Sequence, residues 1–259
     1  MAALPLQHDI DYPESDGRPL GETDLHRDEI VDLVYALRQR YLATPDVYVS
    51  GNLFIYPKRG DRSSLCPDVF VVKGVPKGRR RTYKLWEEGQ PPVFVIEVTS
   101  TSMQYEDQVE KKEKYMRLGV EEYFLFDPLD EYLSPQLQGF RLAGERYWPI
   151  EPEDDGSLAS RTTGLRLQVE GGERLRLIDL ATGMPLPRTE EEAVARKSAE
   201  AARQVAEAAR QAAEAARQAA EKRAEDEAAA RRAAEVRAAA AEEEIARLRR
   251  ELAERNRPG

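Results

Sequence analysis

Apolar positions fall into three successive regimes along the chain. Over residues 24–41, Ile30, Val34, Leu37 and Tyr41 recur at helical spacing behind Thr23 or Asp24, either of which can cap a helix. The pattern then shortens to strands. Asp46 to Tyr56 reads as two short strands, DVYV and LFIY, joined by Ser50-Gly51-Asn52 as a compact hairpin. Val69 to Val72 and the run PPVFVIEVTS are nearly unbroken apolar strands, the second the most buried-looking in the chain. YEDQVEKKEKYMRLG returns to helical spacing and closes on Gly119, and EEYFLFDP is another strand, ended by Asp127-Pro128. Shorter β segments follow around 139–148, 165–169 and 175–180. From Thr189 onward the period is seven, in AEAARQV, AEAARQA, AEAARQA.

This order predicts an α+β (mixed α/β) domain with a central sheet of at least five strands flanked by helices. Residues 92–99, 105–118 and 122–126 should form a parallel strand–helix–strand crossover, right-handed or its close equivalent. Residues 1–22, rich in Pro, Gly and Asp, read as a loose N-terminal arm; 23–188 is the globular domain; 189–259 is a helical coiled-coil tail. In the tail, Ala202, Val205, Ala209, Ala212, Ala216 and Ala219 form one seam. A second seam, Ala238, Ala241, Ile245, Leu248 and Leu252, is displaced by one position, so the register slips near residues 221–232. The tail is therefore expected to make a homo-oligomer, a dimer.

Composition sharpens that division. From Glu190 to the end there are 16 acidic and 15 basic residues and no aromatic, so the net charge of -9 falls almost wholly on the first part. No stretch is apolar enough to span a bilayer, and the start lacks a signal-peptide pattern, which points to a cytoplasmic protein with no membrane partner. One cysteine, Cys66, excludes an internal disulfide framework and a cysteine zinc cluster, and two histidines make a multi-histidine metal site implausible.

Two carboxylates stand out by position. Glu97 lies inside VFVIEVTS, and a carboxylate in a buried strand must be paired, protonated or metal-bound. It could equally be a strand-end Glu reaching solvent or a structural arginine. Asp68 follows Pro67 at the entry to the other apolar strand, where Pro-Asp is also an ordinary turn pair. Together, two acids on adjacent strands suit a hard cation such as magnesium. On the following helix Asp107, Lys111 and Tyr115 share a face, with Lys114 nearby, either as an ordinary solvated face or as one that delivers Lys111 to the acids. His26 extends the apolar face of its helix by a turn and reads as a packing histidine. Ser100-Thr101-Ser102 reads as a helix cap. Lys77, Arg79, Arg80, Arg81 and Lys84 form a basic island that could contact a phosphate backbone or be an exposed charged loop.

The sequence PD at 67–68 followed by EVT at 97–99 resembles the PD-(D/E)XK nuclease superfamily, with its restriction-endonuclease-like fold. The combination HRDEIVDLVYAL, PDVFVV, VIEVTSTS, D-x3-K-x3-Y-x3-GV-x-EY-x3-DP and GLRL…GGERLRLIDLATG is more closely similar to the Uma two family of restriction endonucleases, abundant in bacteria. The block is carried by Asp107, Lys111, Tyr115, Gly119, Val120, Glu122, Tyr123, Asp127 and Pro128, and the resemblance spans about residues 22–192.

The resemblance implies a metal-dependent endonuclease acting on nucleic acid, DNA favoured, with Mg2+ (or Mn2+) held by Asp68, Glu97 and the Val98 carbonyl. Thr99 stands where the superfamily pattern has lysine, so the resemblance implies Lys111 as its replacement. Lys112 and Lys114 are rivals, Asp107 and Tyr115 support the site, and Glu29 is an additional candidate ligand. The alternative is a catalytically inactive nuclease-fold module that binds nucleic acid or protein and assembles through its tail.

Overall fold

The structure, a computed structural model, describes residues 12–14, 23–99 and 105–255, except the side chains of 105–108 and 251–255. The first helix, α1 (Asp24–Arg40), starts where Thr23 Oγ1 accepts the His26 amide at 3.2 Å, and it buries Ile30, Leu33, Ala36 and Leu37. Strands β1 (Val47–Ser50), β2 (Ile55–Tyr56), β3 (Val69–Lys73) and β4 (Tyr83–Lys84) follow, then the short α2 (Leu85–Glu88) and β5 (Phe94–Val98). Helix α3 (Tyr105–Leu118) leads to β6 (Glu122–Phe126), β7 (Leu137–Ala143) and β8 (Arg146–Pro149). The chain continues through β9 (Leu158–Ser160), β10 (Leu165–Glu170) and β11 (Arg174–Asp179) into α4 (Thr189–Arg255).

Six strands form the central sheet in the order β1-β3-β5-β6-β7-β8. Only the β5–β6 pair within it is parallel, so β5-α3-β6 is a parallel crossover. Period-two alternation explains why β5 is apolar almost throughout: it is central, and both its faces are covered. Val69, Val71, Phe94, Ile96, Val98, Phe124 and Phe126 share one core with the apolar stripe of α1 and with Leu158, Leu165, Leu167, Leu175 and Leu177 of the β11-β10-β9 sheet. Phe70, Val72, Val95, Tyr123 and Leu125 point the other way and pack with Tyr115 of α3 and with Ile55 and Tyr83.

The hairpin expected at 46–56 does not form. β1 pairs with β3, and β2 pairs in parallel with β4 in a separate two-stranded sheet. The Ser50-Gly51-Asn52 segment serves a different end. A Cβ on Gly51 would lie 2.2 Å from the Asp68 carbonyl oxygen and 2.9 Å from Val34 Cγ2, while the Asn52 amide donates to the Pro67 carbonyl at 2.9 Å. Glycine is thus required by a close backbone approach at the entry to β3.

Glu122, at the start of β6, is fully buried and accepts from Arg141 Nε (2.9 Å), Ser160 Oγ (2.5 Å), the Arg161 and Thr162 amides (3.0 and 3.1 Å) and Thr162 Oγ1 (2.7 Å). Burial alone would push its carboxyl up, but the hydrogen bonds from Ser160, Thr162 and Arg161 hold it below the usual carboxylate range. This one side chain ties the central sheet to the end of β9.

Of the N-terminal arm, only Tyr12–Glu14 lie within the described residues. The Tyr12 ring packs 5.1 Å from those of Tyr56 and Trp86, and Tyr56 donates to the Pro13 carbonyl. The chain divides into two compact units, Met1–Glu192 and Ala193–Gly259. In the second, α4 runs on as an exposed helix with pairs such as Glu214–Arg217 and Glu244–Arg247 along it. The whole of α4 has 67 residues and is roughly 100 Å long at about 1.5 Å per residue.

Candidate active site

The entry of β3 and the exit of β5 lie side by side, and this brings Asp68 to Glu97 and Val98. Val98 donates its amide to Asp68 Oδ2 at 2.9 Å. Register places Val69 opposite Ile96, and side chains of Asp68 and Glu97 follow the Phe70–Val95 face, toward α3. There Glu97 is completely buried. Its Oε2 accepts from Lys111 Nζ at 2.7 Å, and its Oε1 accepts from the Tyr115 hydroxyl in a short hydrogen bond. One turn of α3 separates the two donors, so a single helix face serves both carboxylate oxygens.

Burial, with the nearby Asp68 charge, pushes Glu97 up to about 7, although the Lys111 charge and the two hydrogen bonds pull the other way. Burial disfavours the Lys111 ammonium, but attraction to Glu97 and Asp68 holds it above the ordinary lysine range. Tyr115 is raised by burial and then by Glu97, so it remains a neutral donor. Lys111 keeps its proton, and the group that titrates near neutrality is Glu97.

The other lysines of α3 go elsewhere. Lys112 Nζ lies 3.2 Å from the centre of the Phe140 ring, and Lys114 pairs with Glu110 at 2.6 Å. The side chain of Asp107 and the Ser100-Thr101-Ser102 cap lie outside the described residues. Glu29 is not brought to the acids: its oxygens accept from Arg174 Nε and the Leu175 amide, both at 2.8 Å, and Arg174 also pairs with Asp32. Burial raises its carboxyl despite those partners.

Most of the basic island is internally committed. Lys77 caps the Tyr41 and Leu42 carbonyls. Arg80 forks onto Glu88 and stacks 4.1 Å from the centre of the Tyr48 ring. Arg81 meets Glu14, and Lys84 meets Glu87 at 3.4 Å. Arg79 is exposed.

The structure also brings in a residue that the apolar pattern disguised. His26 is 3% exposed, and its Nε2 donates to the Val98 carbonyl at 2.7 Å and lies 3.7 Å from Asp68 Oδ2. The available signal was its place one turn ahead of Ile30: a polar ring in line with an apolar stripe is carried inward. Thr99, in the position without lysine, is buried, and its Oγ1 has no hydrogen-bond partner among the described residues.

Two carboxylates and a main-chain carbonyl at one strand end make an oxygen donor set of the kind that fits a hard divalent cation. Asp68 has no lysine or arginine ion-pair partner among the described residues, which leaves its charge available. No three His, Cys, Asp or Glu side chains among the described residues form a metal-holding group, so a third donor has to come from the main chain or from solvent.

The family model described as "Uma2: Putative restriction endonuclease" matches residues 2–177. The chain belongs to the Uma2 family. Among solved structures, the crystal structure of "a putative nuclease belonging to DUF820 from Anabaena variabilis" is similar, at 15% identity over 58% of this chain and 81% of that one, with a TM-score of 0.42. A comparison with curated proteins finds no match. The Uma2 match takes in β3, β5 and α3, and with them Asp68, Glu97 and Lys111.

Proposed function

We propose that this Uma2 protein is a cytoplasmic, divalent-metal-dependent endonuclease that hydrolyses phosphodiester bonds in nucleic acid, DNA in the first instance. The observation that carries the reading is the Lys111 ammonium, 2.7 Å from the fully buried Glu97 carboxylate on the strand beside Asp68. Asp68 and Glu97, with the Val98 carbonyl, would hold the cation, magnesium or manganese. When bound, that ion supplies Lewis-acid stabilisation of the phosphate and a more acidic water. The chain's own residues do the rest. Lys111 places a fixed positive charge where negative charge builds on the phosphate oxygens. Tyr115 fixes the rotamer of Glu97 through Oε1, and the closed apolar wall behind it excludes competing water.

An inactive binding module is the rival reading. Against it, neither Asp68 nor Glu97 is neutralised by an arginine among the described residues, and the lysine reaches one of them. The deciding test is digestion of plasmid, linear duplex and single-stranded substrates with and without divalent ions, alongside Glu97→Gln. Metal-dependent cleavage that disappears in the variant is expected. Equal cleavage by the variant, or none by the parent with any ion, would leave binding alone.

The tail is proposed to join two copies of the chain. Its repeated alanine seam has little else to bury, and alanine contributes little area, so association should be weak and strongest around Ile245, Leu248 and Leu252. Sedimentation at high concentration should show an associating parent and a monomeric chain truncated before residue 190. Identical monomers in both would end that proposal.

A further inference from the structure

We infer that His26 is itself a ligand of the cation at Asp68, with Nε2 as a nitrogen donor beside the Val98 carbonyl, and that it biases the site toward manganese over magnesium. The inference rests on the reading above that a divalent cation binds at Asp68.

Three donors from three separate elements converge here: His26 from the first turn of α1, Asp68 from the entry of β3 and the Val98 carbonyl from the end of β5. Nε2 lies 2.7 Å from that carbonyl oxygen and 3.7 Å from Asp68 Oδ2. Two ligands adjacent around an ion at about 2.1 Å stand roughly 3.0–3.4 Å apart, and the two observed separations bracket that range. Shifts of a few tenths of an ångström would place a common ion between them.

A strand-end carbonyl can be satisfied far more simply than by a histidine 72 residues away. The ring is 97% buried, and its backbone is pinned by the Thr23 cap, so it is held in place before any ion arrives. The Nε2 proton now occupies the place between two donors that a cation would take. On binding, that proton leaves Nε2, either crossing to Nδ1 in the neutral ring or passing to solvent, and the vacated lone pair faces the ion. An imidazole donor suits manganese and later first-row ions better than magnesium, which holds to oxygen and keeps its waters.

The test uses full-length protein and manganese as the probe. Electron-spin-echo modulation of bound Mn2+ should show coupling to one imidazole nitrogen in the unaltered protein. In His26→Gln, manganese affinity should fall by at least the roughly 10- to 100-fold that loss of an outer-shell partner costs, while magnesium affinity, read by competition, changes far less. Asp68→Asn should lose both ions. Manganese that binds the parent without nitrogen coupling, yet is lost in Asp68→Asn, overturns the role of His26 and leaves the Asp68 site standing. If the parent binds no manganese, or Asp68→Asn binds it unchanged, the inference fails together with the metal-site reading. The echo measurement needs no variant, so a poorly folded His26→Gln does not protect the idea.

Discussion

Lys111→Met is expected to lower nuclease turnover by ~10²–10³-fold, the cost typical of losing one preorganised electrostatic donor. Thr99 cannot carry positive charge, so the strand itself offers no cation to the developing phosphate charge. Lys111 fills that place from α3 with its ammonium against Glu97 Oε2. Removing it also removes a repulsion from the cation, so metal affinity should hold or rise, which separates this variant from loss of a ligand. Lys112→Met and Lys114→Met should cleave at the parental rate, because those side chains sit over Phe140 and on Glu110. Turnover assays on the three variants with manganese titrations in parallel decide it. Normal cleavage by all three would remove the helix lysine from the mechanism, and a dead Lys112 or Lys114 variant beside an active Lys111→Met would move the role to that neighbour.

Stability should fall as pH rises from about 4.5 through 7, and Glu97 should be the cause. Its folded value is raised to about 7 from 4.5, so within that window the folded state holds more protons than the unfolded chain. The stabilisation is fully present below the unfolded value and lost as pH climbs through the folded one. At 1.36 kcal/mol per pKa unit the loss is on the order of 3 kcal/mol. Glu97→Gln cannot titrate, so the parent-minus-variant difference in urea unfolding free energy should change by that amount between pH 4.5 and 8. Lys111→Met should steepen the effect, since the lysine charge is the chief influence holding Glu97 down. Parallel pH profiles for parent and Glu97→Gln would mean that Glu97 is not protonated near neutrality.

The legible parts of the molecule were those fixed by local pattern. β5, α3 and β6 follow from apolar runs and helical spacing, and Gly119, with φ +86°, closes α3 as its sequence position suggests. The two acids and Lys111 were visible because each breaks, or rides on, such a pattern. What escaped depends on distant partners. Ser50-Gly51-Asn52 has the composition of a hairpin turn, yet its glycine answers to the Asp68 backbone, which no local rule contains. The β2–β4 pair was hidden because its second strand lies inside the basic island, where charge masked the apolar contribution of Tyr83. That island looked like a phosphate-binding loop, whereas Lys77 and Arg80 spend their charge on carbonyls and on Glu88. Glu29 seemed free to act, but Arg174 claims it from the far end of the domain.

The cluster around Glu122 bears on which parts of the surface can be re-engineered. The turn at 160–163 looks like any connection between short strands, and such places ordinarily accept added residues. Here its main-chain N–H groups at Arg161 and Thr162, as well as two hydroxyls, are aimed at one buried carboxylate. Any inserted or deleted residue would swing those donors out of line and strand a charge in the interior. A tag, epitope or permuted terminus placed at this turn would therefore cost the protein its fold, however harmless the site looks from outside.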